Sequence, residues 1–184
     1  MGALIILIAI GFVAAYVVAM YNGFVSLRNR ARNAWADIDV QLKRRHDLIP
    51  NLVETVKGYA GHESKVFEEV ARLRSAAMGS QTAEERAGTE SMLTQALKTL
   101  FAVAEAYPQL KADQNFRELQ GQLAEIEDQI QLSRRYYNAV VRDLNMKREL
   151  FPSSLIANWF KIEPMEYFQI EEEEEREPVE VKFT

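Results

Sequence analysis

The sequence predicts an all-α protein. It reads as an N-terminal single transmembrane helix leading into an elongated up-and-down bundle of three or four long antiparallel helices, with an irregular acidic C-terminal tail. Three observations predict it. Met1 to Leu27 carries no charged side chain, apolar residues from Trp35 to Leu144 recur at steps of three and four, and Pro50 and Pro108 are the only prolines between Phe24 and Glu149. The expected organisation is an anchor over 1–22, a cytoplasmic helical bundle over 23–150 and a C-terminal segment with an acidic tail over 151–184.

The anchor is argued from length. Ala3 to Met20 is apolar on every helical face and, at 1.5 Å per residue, extends about 27 Å, enough to cross a bilayer. The residues expected within lipid are Ala3, Leu4, Ile5, Ile6, Leu7, Ile8, Ile10, Phe12, Val13, Val17, Val18 and Met20. A secretory signal would carry basic residues ahead of the apolar run and a small-x-small cleavage site behind it, and neither is present. The first basic side chains are Arg28, Arg30 and Arg32, suited to anionic lipid headgroups on the C-terminal flank. By the positive-inside rule they place the N-terminus outside and the remainder in the cytoplasm.

Beyond the anchor, Trp35, Ile38, Leu42, Arg45, Ile49, Leu52, Val56, Tyr59, Glu63, Val66, Val70 and Leu73 form a seam of the coiled-coil type. It runs through Pro50, so a bent helix is expected there rather than a loop. Gly58 and Gly61 make a second weak point, and Met78-Gly79-Ser80 ends the stretch. Thr82 with Glu85 forms a capping-box pattern opening a helix with Leu93, Leu97, Leu100 and Ala104 on one stripe, which stops at Tyr107-Pro108. Asp113 or Asn115 caps the last long helix, whose seam is Phe116, Leu119, Leu123, Ile126, Ile130, Ser133, Tyr137, Val140 and Leu144. Short connections make neighbouring helices antiparallel. After Phe151-Pro152 the period is lost. Ser153 is expected to cap a short turn, and Trp159, Phe160, Tyr167 and Phe168 to pin an irregular segment to the bundle. Glu171 to Glu175 are expected to be solvated by mutual repulsion, and Val179 to Phe183 extended or frayed.

Charge and composition sort the function classes. The net charge of −5 on 184 residues belongs to the tail, where Glu163 to Thr184 holds nine Glu against Arg176 and Lys182. Lys43, Arg44 and Arg45 lie among aspartates in a net-acidic chain, a poor phosphate surface, so no nucleic-acid partner is expected. Cysteine is absent, which excludes disulfides and thiolate chemistry, and histidine is limited to His46 and His62. Neither has Glu three residues before it, as bundle di-iron sites require, and the second His of a zinc-protease motif would fall at Val66. With no Gly-x-Ser-x-Gly elbow or phosphate loop, the expectation is a non-enzyme with no cofactor, metal or small-molecule substrate. Arg45 and Glu63 are polar within an apolar seam. They read either as edge residues that snorkel or pair with charges on a neighbouring helix, or as a partly buried ion pair fixing register or an assembly contact.

Tyr21-Asn-Gly-Phe-Val-Ser-Leu-Arg-Asn-Arg30 and the block Asn33 to Glu63, with Trp35-Ala-Asp-Ile-Asp and His46-Asp-Leu-Ile-Pro-Asn-Leu-Val at its heart, closely resemble the LemA family. Tyr107-Pro-Gln-Leu-Lys-Ala, Asn115-Phe-Arg-Glu-Leu-Gln, Arg134-Arg-Tyr-Tyr-Asn-Ala-Val and Phe151-Pro-Ser-Ser-Leu-Ile-Ala extend the likeness to about Phe160. The resemblance implies a bacterial inner-membrane protein with an N-terminal anchor and a cytoplasmic helical bundle, and it brings no catalytic residues. One relative in that family acts in magnetosome membrane formation. The expected function is a membrane-anchored scaffold that self-assembles as a homo-oligomer, contacts membrane lipids and organises or shapes the bilayer. The alternative is a membrane-tethered adaptor or sensor recruiting an unidentified cytoplasmic protein.

Overall fold

The computed structural model describes residues 1–168; the expectations for Glu171 to Glu175 and for Val179 to Phe183 lie outside the described residues. The described residues form six helices and no strand: α1 (Gly2–Lys57), α2 (Ser64–Gly79), α3 (Ala83–Glu105), α4 (Pro108–Ala112), α5 (Gln114–Glu149) and α6 (Ser153–Trp159). They divide into two compact units, one of Met1–Asp47 with Gln122–Tyr167, the other of Leu48–Gly121 with Phe168.

In the first unit, α1 passes through Asn22-Gly23 without a break, so the apolar segment and the residues that pack beyond it share one helix. Phe24, Ala31, Ala34, Ile38 and Leu42 are buried along α1, and Ile126, Ile130, Tyr137, Val140, Val141 and Leu144 along α5. Three contacts fix the pairing. Arg45 meets Glu127, the Trp35 ring lies 5.3 Å from that of Tyr137, and the Lys147 ammonium sits 5.0 Å over the Phe24 ring. Each step back along α1 matches a step forward along α5, so the two helices run antiparallel with one register over six turns. The Lys147 ammonium lies directly against Gly23, where a methyl group would displace it.

The end of α5 departs from expectation. Ser153 does not cap the helix that follows; Pro152 occupies that place, and the Ser153 hydroxyl donates to the carbonyls of Lys147 at 2.6 Å and Leu150 at 2.9 Å. It thereby adds a partner at the carbonyl end of α5, where the Leu150 carbonyl also accepts the Ser154 amide at 2.7 Å. The segment after α6 is held chiefly by polar side chains of α5. Arg148 Nε donates to the Ile162 carbonyl at 3.0 Å, Asn145 pairs with both backbone groups of Met165 at 3.0 Å, and the Tyr137 hydroxyl donates to the Glu166 carbonyl at 2.8 Å. Of the expected aromatic pins, Phe168 is buried, Tyr167 is half-buried and the Phe160 ring lies tilted at 45° against Tyr21, but Trp159 is 76% exposed. The inner side of α6 is filled by Ile156 and Ala157, which turns Trp159 outward.

In the second unit α1 continues through Pro50, as the seam required; the proline is exposed, while Ile49 and Leu52 beside it are buried. The seam itself ends sooner than its spacing suggests. Tyr59, Glu63 and Val66 are not core residues, because the helix stops at Lys57 and the chain turns through Gly58 to Glu63. Two glycines within four residues each cost about 1 kcal/mol relative to alanine inside a helix, so breaking there is cheap. Burial passes to Ala60, Phe67, Val70, Leu73 and Ala77, and α2 packs against α3. Leu93, Leu97, Leu100 and Ala104 face inward on α3, as their spacing requires.

The caps follow the sequence closely. Thr82 Oγ1 accepts the Glu85 amide at 3.1 Å, while the Glu85 carboxylate reaches back to the Gln81 amide at 3.1 Å, one residue earlier than a standard capping box. Pro108 opens α4 at a position where its missing N–H costs nothing. Asp113, not Asn115, caps α5 by accepting the Phe116 amide at 2.9 Å.

Candidate membrane-proximal site

The site is built on the first half of α1. The segment from Ala3 to Met20 forms a helix long and apolar enough to cross a membrane, and none of its most apolar stretch is buried within the protein. Leu4, Ile5, Ile6, Leu7, Ile8, Ile10, Phe12, Val13 and Val18 are each more than half exposed, Ala3 is exposed, and Val17 and Met20 are partly covered. So much apolar surface along one helix is stable only in contact with something other than water.

Arg28, Arg30 and Arg32 follow within three turns and all are exposed. Arg28 and Arg32 share a side of the helix, whereas Arg30 points to another, so the three charges surround α1 on its solvent side. Phe24, Ala31 and Ala34 occupy the packed face between them. Tyr21 closes the apolar segment, its ring 4.7 Å from that of Phe160.

Arg45 lies further along the same helix. Its side chain is 5% exposed, and Nη1 stands 3.2 Å from Glu127 Oε2, itself one-third exposed. Glu63 is elsewhere, half-buried at the start of α2 in the second unit and making no side-chain cap. Sequence reasoning picked out Arg45 but missed Glu127. An acidic residue beside the facing seam, next to Ile126, was the available signal, and it needed the register of α5 to be known. The two histidines are also apart in kind: His46 is buried in the first unit, and His62 is exposed in the turn before α2 in the second.

A polar cluster that the sequence did not announce lies where α2 meets α3. Ser80 and Thr89 hydroxyls are 2.8 Å apart, Arg86 Nη2 donates to the Ser80 carbonyl at 3.1 Å, and Glu90 is buried nearby on α3. These bonds tie the α2–α3 turn together. Among the described residues no group of three or more His, Asp or Glu is arranged to hold a metal ion.

An all-α chain whose long apolar helix runs directly into its folded part belongs to the class of membrane-associated helical proteins. The sequence profile of the LemA family matches residues 34–183, and the chain belongs to that family. It is similar to "Magnetosome protein MamQ 2" of Paramagnetospirillum magneticum, with 24% identity over 190 residues covering 89% of this chain and 70% of the relative. A MamQ protein of Magnetospirillum gryphiswaldense is 23% identical over 80% of this chain and 64% of its own length. "Protein LemA" of Metamycoplasma hominis is 23% identical over 92% of this chain and 78% of its own length.

Proposed function

We propose that this LemA-family chain is a non-enzymatic scaffold anchored in the bacterial inner membrane. The N-terminus lies outside and the helices, arranged as an up-and-down bundle, lie in the cytoplasm, where they self-assemble and organise or shape the bilayer. The observation that carries this reading is the continuity of α1. The helix whose apolar end is exposed is the same helix that buries Phe24, Ala31 and Ile38, so no hinge loop separates anchor from packed structure. A load applied to that packed structure reaches the lipid through helical backbone. Arg28, Arg30 and Arg32 fit anionic headgroups on the cytoplasmic side, where positive residues are retained. Likeness to proteins named as magnetosome proteins supports a role tied to membranes.

Self-assembly follows from surface left over on long helices. Val40, Leu132, Tyr136 and Met146 remain exposed on α1 and α5 after those helices have paired, and such residues suit contact between copies. The test is electron microscopy of the full chain in native membrane patches and in mild detergent. Closed or filamentous assemblies with one repeating unit are expected. Strictly monomeric particles in both preparations would overturn the scaffold.

A further inference from the structure

Five large apolar side chains at the far end of the first unit are turned to solvent: Leu150, Phe151, Leu155, Trp159 and Phe160, from 46% to 80% exposed. Leu155 and Trp159 are spaced by four and line one side of α6, with Phe151 exposed in the turn before it, while Ser153, Ile156 and Ala157 take the packed side. Their level is set by two independent contacts. Lys147 on α5 lies over Phe24 of α1, so Leu150, one turn further on, stands beside the end of the apolar segment; and the Phe160 ring touches Tyr21, the residue immediately after Met20. Trp159 and Phe160 are themselves stacked, with centroids 6.1 Å apart.

We infer that this outward face of α6 is a second membrane contact, seated in the lipid–water interface beside the anchor. The inference rests on the anchored reading of α1, with whose apolar surface the patch is continuous through Tyr21 and Phe160. Its chemistry suits that depth. Tryptophan and tyrosine concentrate where hydrocarbon gives way to headgroups, and a short amphipathic helix lying in that plane buries its apolar side while its polar side stays wet. Lys161, exposed directly after α6, and Arg28, exposed on α1, supply cations for headgroup phosphates. Two contacts at one level would set the angle at which α1 leaves the bilayer, which a single span does not.

The experiment uses the full chain, which has no cysteine of its own. Leu155→Cys carries an environment-sensitive fluorophore and is reconstituted into vesicles of phosphatidylethanolamine and phosphatidylglycerol, with and without a lipid bearing a quencher high on its acyl chain. Trp159→Cys serves as a second reporter, and Gln131→Cys, exposed on α5 and about 28 Å of helix away from Leu150, is the control. The expected result is a shift to shorter wavelength and a loss of emission to the quenching lipid at both reporters, with neither at the control. Water-like, unquenched emission from protein that floats with the vesicles overturns the inference and leaves the anchor standing. Shifted emission that ignores the quenching lipid and reverts when the protein is diluted in excess lipid assigns the face to a second copy of the chain, which also overturns it. Protein that does not float with the vesicles overturns both readings.

Discussion

Arg45 on α1 and Glu127 on α5 form a 3.2 Å ion pair in which the arginine is almost wholly enclosed and the glutamate is one-third open to water. The asymmetry matters for what each substitution does. Glu127→Gln keeps the shape but withdraws the charge from a buried guanidinium, and should cost about 1–3 kcal/mol. A cycle with Arg45→Met should show a coupling of about 0.5–3 kcal/mol between the two sites. Denaturant unfolding of the four proteins measures it, and additive effects would mean the pair does not set the α1–α5 register.

Thr82 holds the start of α3 through a single side-chain bond to the Glu85 amide. Thr82→Ala should lower stability by about 1 kcal/mol, whereas Thr82→Asp should leave it nearly unchanged, because both oxygens can cap. Hydrogen exchange at Glu85 reports the loss locally: faster exchange in the alanine variant alone is the expected pattern.

Asp113 links acidity to the second unit. Its carboxylate accepts the Phe116 amide and, at 3.1 Å, the Tyr59 hydroxyl, with Arg117 close by, and these hold its pKa below the usual carboxylate value. The same bond to Asp113 raises the Tyr59 pKa. A depressed carboxylate contributes stability that is fully present above its unfolded pKa of about 3.9 and is lost as pH falls through the folded value. The denaturation midpoint should therefore fall below about pH 4. Asp113→Asn, which still caps but does not titrate, should have a shallower acid limb.

Tyr137 acts at the opposite end of the scale. Burial, and then the charge of Glu166, raise its pKa above that of free tyrosine. Its contribution is thus fully present below the unfolded value of about 10 and is lost as pH rises through the folded value. Tyr137→Phe removes the bond to the Glu166 carbonyl and should cost about 0.5–1.5 kcal/mol at neutral pH. Cleavage by a protease within 160–168 should quicken in this variant, since that segment is tied down by side chains of α5.

Orientation is tested by a single cysteine at Met78, which is 57% exposed at the end of α2. In intact cells Met78→Cys should resist a membrane-impermeant thiol reagent and react after the membrane is opened. Equal labelling before and after opening would place the helices outside. Ser80, two residues on, is too buried to serve.

The parts legible in the sequence were those encoded by repeated spacing or by a specific local bond. The seam from Phe116 to Leu144 spans about eight turns, so chance agreement is small, and every position in it is buried or half-buried. Thr82 and Asp113 were readable because a cap is decided within four residues. The turn after Lys57 was not, since the step of three and four continues through Tyr59, Glu63 and Val66 whether or not the backbone does. Ser153 was assigned to the wrong helix because the same hydroxyl can serve the end of one helix or the start of the next, and only the fold around Pro152 decides. In the candidate site, the apolar run and Arg28, Arg30 and Arg32 declared themselves by composition. Glu127, Phe160 and the outward row of α6 did not, because each takes its meaning from a residue more than eighty positions away or from a surface that none of the described residues covers.

The unbroken passage of α1 through Asn22-Gly23 makes the anchor a dial as well as a tether. Each residue in a helix advances about 1.5 Å and about 100°. One alanine inserted between Tyr21 and Phe24 would therefore leave Phe24 in its socket, swing Tyr21 about a quarter-turn away from Phe160 and rotate the whole apolar segment with it. The four residues from Tyr21 to Phe24 thus encode a phase angle, and α1 has no swivel with which to correct it.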